Sequence, residues 1–195
     1  MNKNNPYELI NVWIESESQL GAPAPQHAVL STATKDGVPH ARVVAIREIN
    51  PLGFLFFTQL GTRKVSELLV NPLATITFWF ELSLREVIIE GQAVPLSPEE
   101  NEQYWRSYPR EAQIRFYSYA PISSKPIASK QLLEAKKATI AATYEHSPLP
   151  MSEFYCGFRI IPKRLVFYSY RSDQLSDVIE YCLVDNNWSV SLLSP

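Results

Sequence analysis

The chain has 195 residues, 46% of them hydrophobic and 19% charged, with a formal net charge of -2 at pH 7. A chain of this size buries about 70% of its unfolded surface, so one domain with elaborations is expected. The slight acidic surplus argues against a general nucleic-acid binder, and no apolar run reaches the roughly 20 residues that a membrane helix needs.

The first twenty residues are polar and acidic and lack a signal-peptide core, so a cytoplasmic location is the expectation. Pro6 to Leu20 reads as an amphipathic helix with Leu9, Val12, Trp13 and Leu20 on one side. "HAVLSTAT", "KDG" and "VPHARVVAIREI" then read as strand, Asp-Gly turn and strand. After the turn "NPLG" comes a third strand, "FLFFT", and a helix entered at Gly61-Thr62 that stops at Asn71-Pro72. Two more strands follow, "LATITFWF" and "REVIIEGQAVPL".

At "SPEE", Ser97 is an N-cap, Pro98 takes the first helical position and Glu100 is the reciprocal capping residue. The helical region that begins there runs to about Tyr144, with breaks near Pro109 and between Pro121 and Pro126. The chain then returns to strands in "YCGFRIIP", "RLVFYSY", "VIEYCLV" and "WSVSLL", the last two joined by an Asp185-Asn186-Asn187 turn. About nine strands with grouped helices predict an antiparallel sheet or barrel rather than alternating parallel units.

Several chemistries lack their motifs. His27, His40 and His146 are scattered without metal-ligand spacing and read as surface or turn histidines. No nucleophile elbow, Walker loop or dinucleotide fingerprint is present. Cys156 and Cys182 lie in apolar strand-like segments and read as buried free thiols.

What remains is basic: Arg42 and Arg47 on one strand, and Arg63-Lys64 in the first turn of a helix. A cation in that turn opposes the helix dipole by about 0.3–1 kcal/mol when exposed. Arg42 sits among β-branched neighbours and requires an acidic or phosphate partner. Helix-start amides, Thr62 and three cations would together make a phosphate site. The bland alternative is a solvated helix face.

These residues carry a resemblance. "ARVVAIREINPLGFLFFTQLGTRKVSELLVNP" resembles the core of the pyridoxamine 5'-phosphate oxidase family, whose hallmarks are Arg-x-Val-x-x-Lys, Phe-Tyr-Thr, Ser-Arg-Lys and Asn-Pro. The likeness runs over nearly the whole chain, through "PIASK" to the terminal "W…LLSP". It implies a mainly β (α+β) fold, an antiparallel split β-barrel with packed helices that binds FMN. It also implies a single domain over residues 1–195, with an N-terminal helical arm at 1–25, a helical insertion at 97–145, and a homodimer with FMN at the interface.

By this resemblance Arg42, Thr62, Arg63 and Lys64 match the FMN-phosphate residues, and Val43, Val44, Ala45 and Ile46 the strand whose backbone lies along the flavin. Phe57 and Thr58 take the Tyr-Thr positions, Glu86 that of a Gln, Ser123 and Ser124 a Gln-Ser pair contributed across the dimer, and Tyr168 that of a Trp. On the substrate side Arg47 stands for a Lys, and Tyr104 keeps the family's Tyr while Tyr108 and Ala112 replace Arg and Ser. Gln174 and Ser176 stand where the family has Arg and His, and Val178 replaces a further Arg. A phosphate substrate would lose several charge-assisted hydrogen bonds, each worth about 1.5–3 kcal/mol.

The chain is similar also to the dihydrophenazine oxidases of phenazine biosynthesis. The resemblance therefore implies an FMN-dependent oxidase that takes a hydride from a small, less anionic substrate and passes the electrons to oxygen, with no catalytic acid or base singled out. True pyridoxamine or pyridoxine 5'-phosphate oxidase activity, or a non-enzymatic flavin-binding protein, are the alternatives.

Overall fold

The structure, a computed structural model, describes residues 5–195, so the first four residues of the expected N-terminal arm lie outside the described residues. Among these are α1 (Pro6–Gln19), β1 (His27–Ala33), β2 (Pro39–Asn50), β3 (Gly53–Gln59), α2 (Arg63–Val70), β4 (Leu73–Phe80) and β5 (Arg85–Pro95). There follow α3 (Pro98–Ser107), α4 (Arg110–Tyr119), α5 (Lys130–Thr143), β6 (Tyr155–Ser169), β7 (Asp177–Val184) and β8 (Asn187–Leu193).

The strands hydrogen-bond in the order β3-β2-β1-β4-β5-β6-β7-β8, and β3 pairs with β6 as well. The first six thus close into an antiparallel barrel, with β7 and β8 running on from it: the expected split barrel with helices. The chain divides into two compact units. One takes in residues up to Phe56, Glu67–Val94 and Phe158–Pro195, and the other Phe57–Ser66 and Pro95–Gly157.

In the first unit, burial follows the strand period of two. β4 turns Ala74, Ile76, Phe78 and Phe80 inward, and β1 turns Ala28, Leu30 and Thr32. Two glycines let backbones approach where a side chain could not. A Cβ on Gly53 would stand 2.5 Å from the Ile160 carbonyl oxygen, and one on Gly91 2.2 Å from that of Ile161.

Two expectations change here. The sequence suggested separate strands before and after Pro162, but β6 is one strand of 15 residues. Proline's fixed φ is compatible with extended backbone, and the cost is a single missing donor. The buried side of α1 is Tyr7, Ile10, Trp13 and Glu17, at helical spacing, whereas Val12 and Leu20 are exposed. Buried Glu17 accepts from the Leu82 and Ser83 amides at 2.8 and 3.1 Å and from the Ser83 hydroxyl at 2.7 Å. A polar residue thus occupies the core face because a tight turn supplies its donors.

In the second unit, the expected capping box opens α3: Ser97 Oγ accepts from the Glu100 amide at 3.2 Å, and Glu100 Oε2 from the Ser97 amide at 2.9 Å. The helix breaks fall at Pro109 and between Tyr119 and Lys130, as the prolines predict. The core of this unit is built on Trp105, Leu149 and Tyr155, with Phe57, Phe116 and Tyr144 packed against them. The Trp105 indole donates to Leu149 O at 2.9 Å, so its polar edge is satisfied in the interior.

Candidate functional site

The expected site residues fall in both units. Arg42 to Arg47, Glu86, Tyr168, Gln174 and Ser176 belong to the first, and Phe57, Thr58, Thr62, Arg63, Lys64, Tyr104, Tyr108, Ser123 and Ser124 to the second.

In the second unit, Gly61 takes a left-handed φ of +80° and turns the chain from β3 into α2. Thr62 is buried; its hydroxyl donates to Gln59 O at 2.8 Å, and its carbonyl accepts from the Val65 and Ser66 amides, both at 3.1 Å. The first turn of α2 holds Arg63 and Lys64 and no acid. Lys64 Nζ donates to Thr58 Oγ1 at 3.1 Å, which fixes the ammonium beside the buried end of β3. Cys156 lies 3.6 Å from Thr58 O, and burial pushes its thiol up to about 12 although the nearby Lys64 charge pulls the other way.

Around Tyr155 the structure gathers three expected residues. Phe57 stacks on Tyr155 with centroids 5.0 Å apart and meets the Tyr104 ring at 5.2 Å, while Tyr108 lies 6.2 Å from Tyr155. This panel is aromatic. Ala112, at the position where the family has Ser, is buried. Ser123 and Ser124 line a separate cavity of about 290 Å³ with Tyr119, Ile122, Lys125, Ile127 and Leu133.

In the first unit, Val43 and Val44 pair with Val29 and Ala28 of β1, and Ile46 with Phe56 of β3. The β2–β3 register then slips by one residue between Ile46 and Glu48, which makes Arg47 the extra residue of a bulge. Bulges re-aim a side chain, and Arg47 is exposed. Glu86 stands opposite Trp79, whose ring is edge-on to Tyr170, and Tyr170 in turn lies 4.8 Å from Tyr168. Gln174 is exposed in the loop between β6 and β7, and Ser176 Oγ there accepts from the Arg171 amide at 3.3 Å.

Arg42 has the acidic partner that its surroundings demanded. Its Nη1 donates to Leu30 O at 3.1 Å and to Thr32 Oγ1 at 2.7 Å, and its Nη2 lies 3.5 Å from Glu67 Oε2. Glu67, carried by α2, also accepts from the Thr32 hydroxyl and lies 2.6 Å from His40 Nδ1. Burial works to raise the Glu67 pKa, but the Thr32 hydrogen bond, His40 and the Arg42 charge outweigh it, so its carboxyl is held below the ordinary value of 4.5. His40 is therefore not the surface or turn histidine its scattered position suggested.

Thr32, Glu67 and Tyr155 were not singled out in the sequence as site residues, and His40 was read only as a surface or turn histidine. A signal existed for two of them: in the hairpin register His40 faces Thr32 and Arg42 faces Leu30, so all four lie together once the Asp-Gly turn is set. Glu67 lies 35 residues from Thr32, and no local pattern joins them.

Each unit holds donors of a kind that suits a phosphate group: in the second a helix start with two cations and no acid, and in the first a guanidinium held by Leu30 O and Thr32 Oγ1. Residues 15–144 match the family model described as pyridoxamine 5'-phosphate oxidase, and residues 155–195 match a second model, described as the pyridoxine 5'-phosphate oxidase C-terminal dimerisation region. The pyridoxine/pyridoxamine 5'-phosphate oxidase of Alteromonas mediterranea is 34% identical over 98% of this chain and 90% of its own. That of Zymomonas mobilis is 32% identical over 98% of both chains. Among solved structures, PhzG from Burkholderia lata, in complex with tetrahydrophenazine-1-carboxylic acid, superposes with a TM-score of 0.90 at 26% identity, covering 100% of this chain and 94% of its own. An FMN-binding protein from Nostoc punctiforme shares the fold, with a TM-score of 0.78 at 16% identity over 98% of each chain. The chain belongs to the pyridoxamine 5'-phosphate oxidase family.

Proposed function

We propose that this chain is an FMN-dependent oxidase acting as a homodimer on a flat, reduced ring compound that is less anionic than a pyridoxine phosphate. The observation that carries the reading is the group of half-buried rings Phe57, Tyr104 and Tyr108 backed by the buried Tyr155, aromatic where a phosphate substrate would need cations. Aromatic faces hold planar ligands through offset or edge-on contact. The ring compound in the PhzG complex supports this substrate class.

In this reading Arg42, Thr62, Arg63 and Lys64 are the phosphate contacts, and Val43 to Ile46, Phe57, Thr58, Glu86, Ser123, Ser124 and Tyr168 serve the rest of the cofactor. The redox chemistry, oxidation of the substrate by two electrons at the expense of oxygen, is what FMN supplies when bound. The chain's own share is orientation and charge. Lys64, fixed by Thr58, and Arg42, fixed by Thr32, meet the phosphate at little cost in side-chain entropy. Arg47, set out on its bulge, is the candidate for steadying negative charge on the substrate or the reduced flavin. The matched dimerisation region supports the homodimer. Among the described residues no helix is long and apolar enough to cross a membrane.

A second reading is favoured by the relatives named pyridoxine/pyridoxamine 5'-phosphate oxidase: the same chemistry on a vitamin B6 phosphate. Both are tested by loading the protein with FMN and following the loss of flavin absorbance without oxygen. The panel sets pyridoxine and pyridoxamine phosphates against reduced ring carboxylates. Rapid bleaching by a ring carboxylate and slow bleaching by the phosphates is expected. The opposite order gives the second reading, and no bleaching by any compound sinks both.

A further inference from the structure

The cluster around Arg42 contains a carboxylate that a phosphate-binding site would be expected to avoid. Glu67 is 6% exposed and sits one helical turn after Arg63 and Lys64. It could act in either of two ways. As a competing anion it would occupy Arg42 and weaken phosphate binding; as a brace it would hold Arg42 in position for it.

The distances separate the two. A charge-assisted bond that saturates a guanidinium closes to about 2.7–2.9 Å, whereas Glu67 Oε2 stays 3.5 Å from Arg42 Nη2. Its close contacts go elsewhere, to the Thr32 hydroxyl and to His40 Nδ1 at 2.6 Å. A threonine hydroxyl has one proton. Here that proton is directed at Glu67, which turns the oxygen's lone pairs toward Arg42, whose Nη1 donates to them at 2.7 Å. Leu30 O takes a second Nη1 contact at 3.1 Å. The order of donation runs from Arg42 through Thr32 to Glu67, and His40 Nδ1 lies 2.6 Å from the far oxygen.

We infer that Glu67 is a positioning residue, acting through Thr32 to fix the Arg42 guanidinium for the flavin phosphate. The inference rests on the FMN reading above. Glu67 itself touches no cofactor in this scheme; it sets the direction in which Arg42 donates.

The test is a binding titration of the cofactor-free protein with FMN and with riboflavin, which lacks the phosphate, followed by flavin fluorescence. The native chain is expected to prefer FMN. Glu67→Gln and Thr32→Val are each expected to raise the FMN dissociation constant about tenfold, the size of one misplaced charge-assisted hydrogen bond, while riboflavin binding stays unchanged. Thr32→Ser, which keeps the hydroxyl, restores FMN binding. In an Arg42→Ala background Glu67→Gln has no further effect, because the residue through which it acts is gone.

Equal loss of FMN and riboflavin would show a merely structural role. So would an undiminished Glu67→Gln effect without Arg42. Tighter FMN binding in Glu67→Gln would identify a competing anion instead. Thermal unfolding of each cofactor-free variant checks that it folds, and if Glu67→Gln does not, the Thr32→Val and Thr32→Ser pair decides the matter. A native chain that binds neither flavin, or both equally, overturns the cofactor reading and this inference with it. Failure of the Glu67 and Thr32 variants alone leaves the cofactor reading standing.

Discussion

Glu67 ties the stability of the fold to acid. Its pKa is held below 4.5 in the folded protein, so the unfolded chain takes up its proton first and stability rises with pH across that interval. The contribution is fully present above 4.5 and is lost as pH falls through the lowered value. Denaturant melts from pH 6 down to about pH 3 are expected to show a steeper loss for the native chain than for Glu67→Gln, and parallel curves would contradict the assignment. Cys156 makes a different prediction. A thiol at about 12 holds almost no thiolate near neutrality, and the thiolate is the reactive form. A disulfide reagent at neutral pH is expected to leave Cys156 unlabelled until denaturant is added, as mass spectrometry of the labelled peptides would show.

Helix α2 carries both halves of the cofactor argument, cations in its first turn and Glu67 one turn later. Arg63→Ala together with Lys64→Ala is expected to weaken FMN by well over tenfold, since each removes a charge-assisted contact of about 1.5–3 kcal/mol; unchanged affinity in the titration would restore the solvated-face reading. At α3, Ser97→Ala removes one arm of the capping box and is expected to cost about 1 kcal/mol in thermal melts. That box, the Asp-Gly hairpin and the proline breaks were legible in the sequence because their signals are local. Pro162 misled because a proline reads as punctuation, while the backbone it imposes suits a strand. The face of α1 misled because Glu17 is buried by donors 65 and 66 residues away. The Arg42 cluster was half legible: the demand for an anion could be read from β2, whereas the identity of Glu67 depended on its meeting Thr32 of β1, 35 residues away.

For the whole molecule, the comparisons place the chain in its family and the fold agrees; in the function proposed above, the panel around Tyr155 and the exposed Gln174 loop are where a different substrate would be met. Those are positions where a site can change without disturbing the barrel. The barrel itself has no such freedom at Ile160 and Ile161. Gly53 of β3 and Gly91 of β5 both lie close against that dipeptide of β6, each with room for a hydrogen and nothing larger. Gly91→Ala is expected to destabilise the protein by more than about 2 kcal/mol in denaturant melts, through backbone displacement rather than side-chain repacking. A ring gripped from both sides by bare main chain cannot be widened by trimming side chains, because there are none to trim. Its girth is set at one dipeptide, and the amide hydrogens there are expected to be among the last to exchange with deuterium.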